Sequence, residues 1–109
     1  MKKGDICLIE FMSFRGHEQM GFRPAIAMSE ETANLILVIP LTSKLEALKY
    51  NYSLEISPSK TNGLNTKSIA MIFQLRAVDK RKIKGKIGNI EEDVLDNINN
   101  QIKKMLKLK

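Results

Sequence analysis

The sequence predicts a mainly β fold of the α+β type: a small antiparallel barrel with one C-terminal helix packed on it. Three observations lead there. Short apolar runs with strand character recur along most of the chain, glycine, proline and asparagine punctuate them, and a helical apolar period appears only near the end. Strand and helix units do not alternate, so a parallel sheet with crossover helices is not expected. At 109 residues the whole chain, 1–109, fits one domain, and 43% hydrophobic against 28% charged residues is the balance of an ordinary globular protein.

Ile6 to Phe11 is an apolar, β-branched run around Glu10 and reads as the first strand. Ser13 to Gly21 holds two glycines among polar residues and reads as a long exposed loop, after which Pro24 to Met28 resumes strand character. Leu35 to Leu41 has the continuous apolar pattern of a buried strand; Pro40 lacks a ladder donor, so the strand is expected to fray or lie at a sheet edge there. Tyr50, Tyr52, Leu54 and Ile56 alternate with polar neighbours as a half-buried strand, and Pro58 with Asn62-Gly63 marks the next turn. Ser68 to Val78 is expected to run as one strand whose Gln74 and Arg76 share a face. Finally Val94, Ile98, Ile102 and Leu106 recur every four residues, widened by Leu95 and Met105, as one face of a helix. Asn89 is its expected N-cap and Glu92 its capping-box acid, with acids opening the helix and lysines closing it.

Composition narrows function before any motif does. Eighteen Lys and Arg against twelve Asp and Glu leave a net charge of +6, which draws RNA, DNA or an acidic protein segment. One cysteine, Cys7, makes no internal disulfide and sits in an apolar run, as expected of a core thiol in the reducing cytoplasm. The longest apolar run is far short of the roughly 20 residues of a membrane span, and the N-terminus has no signal-peptide pattern. A single Cys and a single His do not make a zinc site, and no phosphate-binding glycine loop or nucleophile elbow is present, so neither a metal nor another cofactor is expected.

Polar residues instead interrupt the apolar pattern in three segments: Gly16-His17-Glu18-Gln19 running to Arg23-Pro24, then Pro40-Leu41-Thr42-Ser43, then Gln74-Leu75-Arg76-Ala77-Val78-Asp79. Taken singly, the first two are more often a solvated turn, a surface or ion-paired arginine and ordinary turn chemistry, and Gln74 with Arg76 is equally a satisfied polar pair at a strand edge. In this order and spacing, together with Gly4-Asp5-Ile6, Gly21-Phe22-Arg23-Pro24-Ala25-Ile26, Gly63-Leu64, Ser68 and Lys86-Ile87-Gly88, the chain resembles the MazF/PemK/Kid toxin endoribonucleases nearly from end to end.

The resemblance implies an SH3-like barrel with a C-terminal helix, a homodimer, and an antitoxin partner with an acidic segment. It also implies metal-independent cleavage of single-stranded RNA, in which the ribose 2′-hydroxyl attacks the adjacent phosphorus to leave a cyclic phosphate and a free 5′-hydroxyl. Arg23 matches the family's catalytic arginine and Thr42 its catalytic threonine. A guanidinium fork and a hydroxyl donor both suit the developing phosphorane charge. An arginine surrenders a proton reluctantly, so the general base stays open. His17, the one side chain titrating near neutrality, is a candidate proton carrier or phosphate contact, with a solvated loop residue as the alternative. RNA contacts are expected at Gln19, Ser43, Ser68, Gln74 and Arg76.

The basic cluster Lys80, Arg81, Lys82, Lys84 and Lys86 has the composition of a phosphate-tracking surface, with Lys80 and Arg81 expected to touch RNA, or of a solvated loop. Some family members carry a charge just before the matching glutamine, where this chain has Met71-Ile72-Phe73. A role for that charge does not transfer, and Phe73 is either a base-stacking platform or a core residue. The alternative function is a non-catalytic toxin of the same fold that poisons a protein target as the related CcdB toxins do. A proline-peptide module ranks last, since the chain has no Trp and 6% aromatics.

Overall fold

The computed structural model describes residues 1–11 and 21–109. Seven antiparallel strands and one helix are found among them: β1 (Asp5–Phe11), β2 (Gly21–Ala27), β3 (Leu35–Thr42), β4 (Ser53–Ile56), β5 (Ser68–Met71), β6 (Arg76–Asp79), β7 (Ile83–Asn89) and α1 (Glu92–Met105). The spatial order is β4-β5-β3-β2-β1-β7, with β6 paired to β3 off this path. The fold class is the expected one, but the barrel is not closed: β4 and β7 end the order and do not pair with each other. The helix supplies the cover that closure would have supplied. Ile98 is fully buried, and Val94, Leu95, Ile102 and Met105 pack with it on a core of Ile6, Ile26, Ile39, Leu41, Ile56, Leu64 and Ile72. A second cluster on the opposite face joins Cys7, Ile9, Ala25, Ala27, Ile36 and Val38, flanked by Val78 and Ile83. β1 and the inner halves of β2 and β3 are therefore buried on both faces, which is why their sequences run rather than alternate there, whereas Leu35 and Leu37 in the first half of β3 are exposed, so the run from Leu35 to Leu41 is not a buried strand throughout.

Five sequence expectations are corrected. The run from Ser68 to Val78 is two strands, β5 and β6, separated by a 3-10 turn over Ile72–Gln74. Each pairs with a different stretch of β3: Leu41 and Thr42 with β5, Leu35 to Val38 with β6. Pro40 is buried in an interior strand rather than at an edge. It falls in the gap between the β5 and β6 pairings, where a missing N–H interrupts no ladder on that side of β3.

The strand expected from Tyr50 begins only at Ser53, because Leu45–Lys49 forms a 3-10 turn and Tyr52 takes a left-handed backbone, φ 63°. Asn89 closes β7 instead of capping α1; Glu91 is the N-cap residue and makes no side-chain cap bond. The second half of the basic cluster is likewise strand, not loop, with β7 bulged twice against β1.

The loop between β4 and β5 docks on β7 through two glycines. Gly63 has φ +69° and lies where a side chain would meet the Ile87 carbonyl, and a side chain on Gly88 would meet the backbone of Asn62. Asn62, fully buried, then ties the loop together. Its carbonyl oxygen accepts from the backbone N–H of Ser59 and of Leu64, and its amide donates to the Ser57 carbonyl and to Glu91 Oε1. Ser59 Oγ donates to Glu91 Oε2, so the first turn of α1 and the loop share one polar network. Among the described residues, no helix is long and apolar enough to cross a membrane.

Candidate active site

The β2 and β3 ladder explains how two distant residues meet. Ala27 pairs with Val38, Ile26 with Ile39 and Ala25 with Pro40. Carried two residues further, this register sets Arg23 opposite Thr42 on the same face, just beyond the last ladder pair. There the strands part, and a cleft of about 490 Å³ opens between them, lined by both residues. Leu8, Pro24, Leu41, Leu64 and Ile87 form its apolar surface; Ser43, Lys44, Asn65, Thr66 and Ser68 add polar groups.

The hydrogen bonds of the cleft define what its hydroxyls can do. Thr42 Oγ1 accepts from the backbone N–H of Lys44 at 3.2 Å, a short local turn that orients the hydroxyl and keeps its hydrogen for another acceptor. Ser68 Oγ instead donates to the Thr66 carbonyl at 3.1 Å from a site 4% exposed, so it supports the wall on which Thr66 sits. Arg23 and Ser43 are exposed at the cleft. Cys7 is buried and 3.7 Å from the Ala25 carbonyl; burial first, and Asp5 nearby second, push its thiol up to about 11, which keeps it protonated and unreactive.

Of the residues singled out from sequence, Arg23, Thr42, Ser43 and Ser68 line this cleft. His17 and Gln19 lie outside the described residues. Gln74 is exposed in the 3-10 turn and Arg76 on β6, so they do not project from one continuous strand, and neither lines the cleft. Phe73 is half-buried with its ring centroid 5.2 Å from that of Tyr50, also away from the cleft.

The basic cluster is largely occupied by acids. Lys80 pairs with Glu31 at 3.5 Å, Lys86 with the buried Asp5 at 3.3 Å, and Arg81 with Asp79 at 3.0 Å. Arg81's side-chain and backbone hydrogen bonds hold the Asp79 carboxyl down at about 2. Burial alone would raise the Asp5 carboxyl; the Lys2 backbone N–H and Lys86 outweigh it and leave it lowered.

Sequence reading missed Lys44, Asn65, Thr66 and Phe22 as cleft residues. The available signal was position: Lys44 follows Thr42-Ser43, Asn65 and Thr66 follow Gly63-Leu64, and Phe22 precedes Arg23. A lysine among so many, or a polar pair in a turn, carries no mark of its own.

Comparison with known proteins agrees with this architecture. The family described as PemK-like, MazF-like toxin of type II toxin-antitoxin system matches residues 2–106. Endoribonuclease MazF of Staphylococcus saprophyticus is 29% identical over 106 residues, spanning 94% of this chain and 88% of that protein. Endoribonuclease EndoA of Bacillus subtilis is 24% identical over 112 residues, spanning 99% and 96%. Among solved structures, MazE-MazF (Form-II) from Deinococcus radiodurans superposes with a TM-score of 0.79 at 23% identity, covering 100% of this chain and 97% of that one. An endoribonuclease in complex with its cognate antitoxin from a mycobacterial species gives 0.72 at 14% identity, covering 100% and 95%; at these identities the likeness is one of fold. With the family match spanning nearly the whole sequence and the same fold beneath it, this chain belongs to the PemK-like, MazF-like toxins of type II toxin-antitoxin systems.

Proposed function

We propose that this toxin is a metal-independent, sequence-selective endoribonuclease of single-stranded RNA, acting as one domain in the cytoplasm. The observation that carries the reading is the presence of Arg23 and Thr42 in one cleft, beside Lys44. The relatives named endoribonuclease supply the reaction class. The 2′-oxygen of the ribose attacks the adjacent phosphorus, the bond to O5′ breaks, and the products carry a 2′,3′-cyclic phosphate and a 5′-hydroxyl. The proton leaves the 2′-hydroxyl for a base, and another reaches O5′. The Arg23 guanidinium pairs with phosphate oxygens as their charge grows, Thr42 donates from its oriented hydroxyl, and Lys44 adds a second cation. His17, the chain's one histidine, is the proposed proton carrier.

Ser43 lies at the cleft mouth as an RNA contact, with Ser68 bracing the wall behind Thr66. Gln19, Gln74, Arg76, Lys80 and Arg81 are proposed to hold the strand beyond the cleft. A cognate antitoxin controls the enzyme through an acidic segment drawn to the same cations, and the toxin acts as a homodimer. The MazE-MazF structure gives the antitoxin reading its support.

The test is incubation of the purified protein with a long single-stranded RNA in EDTA, followed by mapping of the cut ends. Cyclic-phosphate ends are expected. Arg23→Ala and Thr42→Ala should each lower kcat by roughly 100-fold or more, the scale of a lost transition-state donor, while Thr42→Ser retains most activity. The pH-rate profile should have a limb that disappears in His17→Ala. RNA left intact beside a captured protein target would replace the nuclease with the non-catalytic toxin.

A further inference from the structure

Phe22 stands out among the side chains at the cleft. It is 51% exposed although it lines an otherwise apolar wall with Leu8 and Pro24, and it adjoins Arg23 in β2. An aromatic ring left in water at the mouth of a cationic cleft makes no contribution to the core. By contrast Phe73 is half-buried against Tyr50, away from the cleft. Lys84 lies over the Phe22 ring with Nζ 5.2 Å from its centroid. It reaches there because β7 is bulged: Leu8 pairs with Gly85 and Ile9 with Ile83, so Lys84 is the extra residue that no β1 residue opposes.

We infer that Phe22 is the stacking platform for a nucleobase flanking the scissile phosphate, and that Lys84 covers the ring until the base replaces it and then pairs with a backbone phosphate. This rests on the nuclease reading and identifies the residue that holds a base beside the phosphate gripped by Arg23. Bases offer a flat π face whatever their identity, and a ring with a cation beside it matches both parts of a nucleotide, the base and its phosphate. The apolar neighbours Leu8 and Pro24 exclude water from the stack; Asn65 and Thr66, on the same cleft, offer hydrogen-bonding groups to base edges.

The experiment uses the full-length protein and an RNA heptamer spanning the mapped cut, blocked by a 2′-deoxy sugar at the attacking position. Abasic residues are walked along it one at a time, and affinity is read by fluorescence anisotropy. Phe22→Ala and Phe22→Leu should both weaken binding by roughly 5- to 150-fold, whereas Phe22→Tyr keeps it. At one flanking position, removing the base should cost wild type that same factor and cost Phe22→Ala almost nothing, and 2-aminopurine placed there should be quenched only when an aromatic ring is present. Lys84→Gln should flatten the salt dependence of binding.

Wild-type affinity in Phe22→Leu, or equal abasic penalties in wild type and Phe22→Ala at every position, would overturn the platform while leaving the nuclease intact. Failure of wild type both to bind the blocked heptamer and to cut RNA would remove the nuclease and the platform together.

Discussion

Arg81 shows how little a basic residue's presence in sequence says about its availability. It donates to both carboxylate oxygens of Asp79, through Nε at 3.1 Å and an NH2 group at 3.0 Å, while its backbone N–H donates to the same acid at 2.8 Å. With that carboxyl held near 2, the pair stays charged at any working pH. The pair is exposed on the arginine side, so an RNA phosphate competes with Asp79 for the guanidinium. Asp79→Asn should therefore tighten nonspecific RNA binding and steepen its salt dependence by about one counterion, measured by filter binding across a salt series. No change in slope would mean that Arg81 lies off the RNA path. Arg23 and Thr42 were legible because a family pattern marks them; Lys44 and Phe22 were not, because only the opening of β2 from β3 makes them neighbours of that pair.

Among the elements, α1 was read from its four-residue period alone, since a helix that covers a core must present one apolar stripe. Its start was misplaced because the residue that matters there is engaged elsewhere: Glu91 accepts from Ser59 and Asn62 across the chain. Asn62→Ala should cost about 2 to 4 kcal/mol in urea unfolding by removing a fully buried amide and the four hydrogen bonds it makes, with helical circular dichroism retained before the transition. The Ser59 hydrogen bond lowers the Glu91 carboxyl in the folded protein below its ordinary 4.5. The stabilisation is accordingly complete above that ordinary value and is lost as pH falls through the folded value, and Ser59→Ala should shrink this acid-side loss. An Asn62→Ala protein with an unchanged urea midpoint would show that the network contributes nothing. The break between β5 and β6 escaped the pattern for a related reason: Met71-Ile72-Phe73 is as apolar as a strand, and what turns it is β3, whose two halves each take a different partner.

For the molecule as a whole, a charge of +6 sets long-range attraction while the local pairs Lys80–Glu31, Arg81–Asp79 and Lys86–Asp5 temper it. If the strand meets roughly four free phosphate contacts, raising salt from about 50 to about 200 mM should weaken binding of a blocked oligonucleotide about 50-fold, and an acidic peptide should compete with a similarly steep dependence. Anisotropy titrations would check both, and a flat salt response would show that these cations do not track the phosphates. The sequence by itself determined the mainly β class, the terminal helix and the apolar character of the central strands, because these follow from local periodicity, and its resemblance to the family pointed to the two residues proposed for catalysis. Only the tertiary structure decided that the sheet stays open under the helix, that Pro40 is interior, and that Phe22, Lys44 and the Asn65-Thr66 loop share one cleft with Arg23 and Thr42. Those outcomes depend on which strand edges find each other and on where a ladder stops, and both are settled by contacts between residues far apart in the chain.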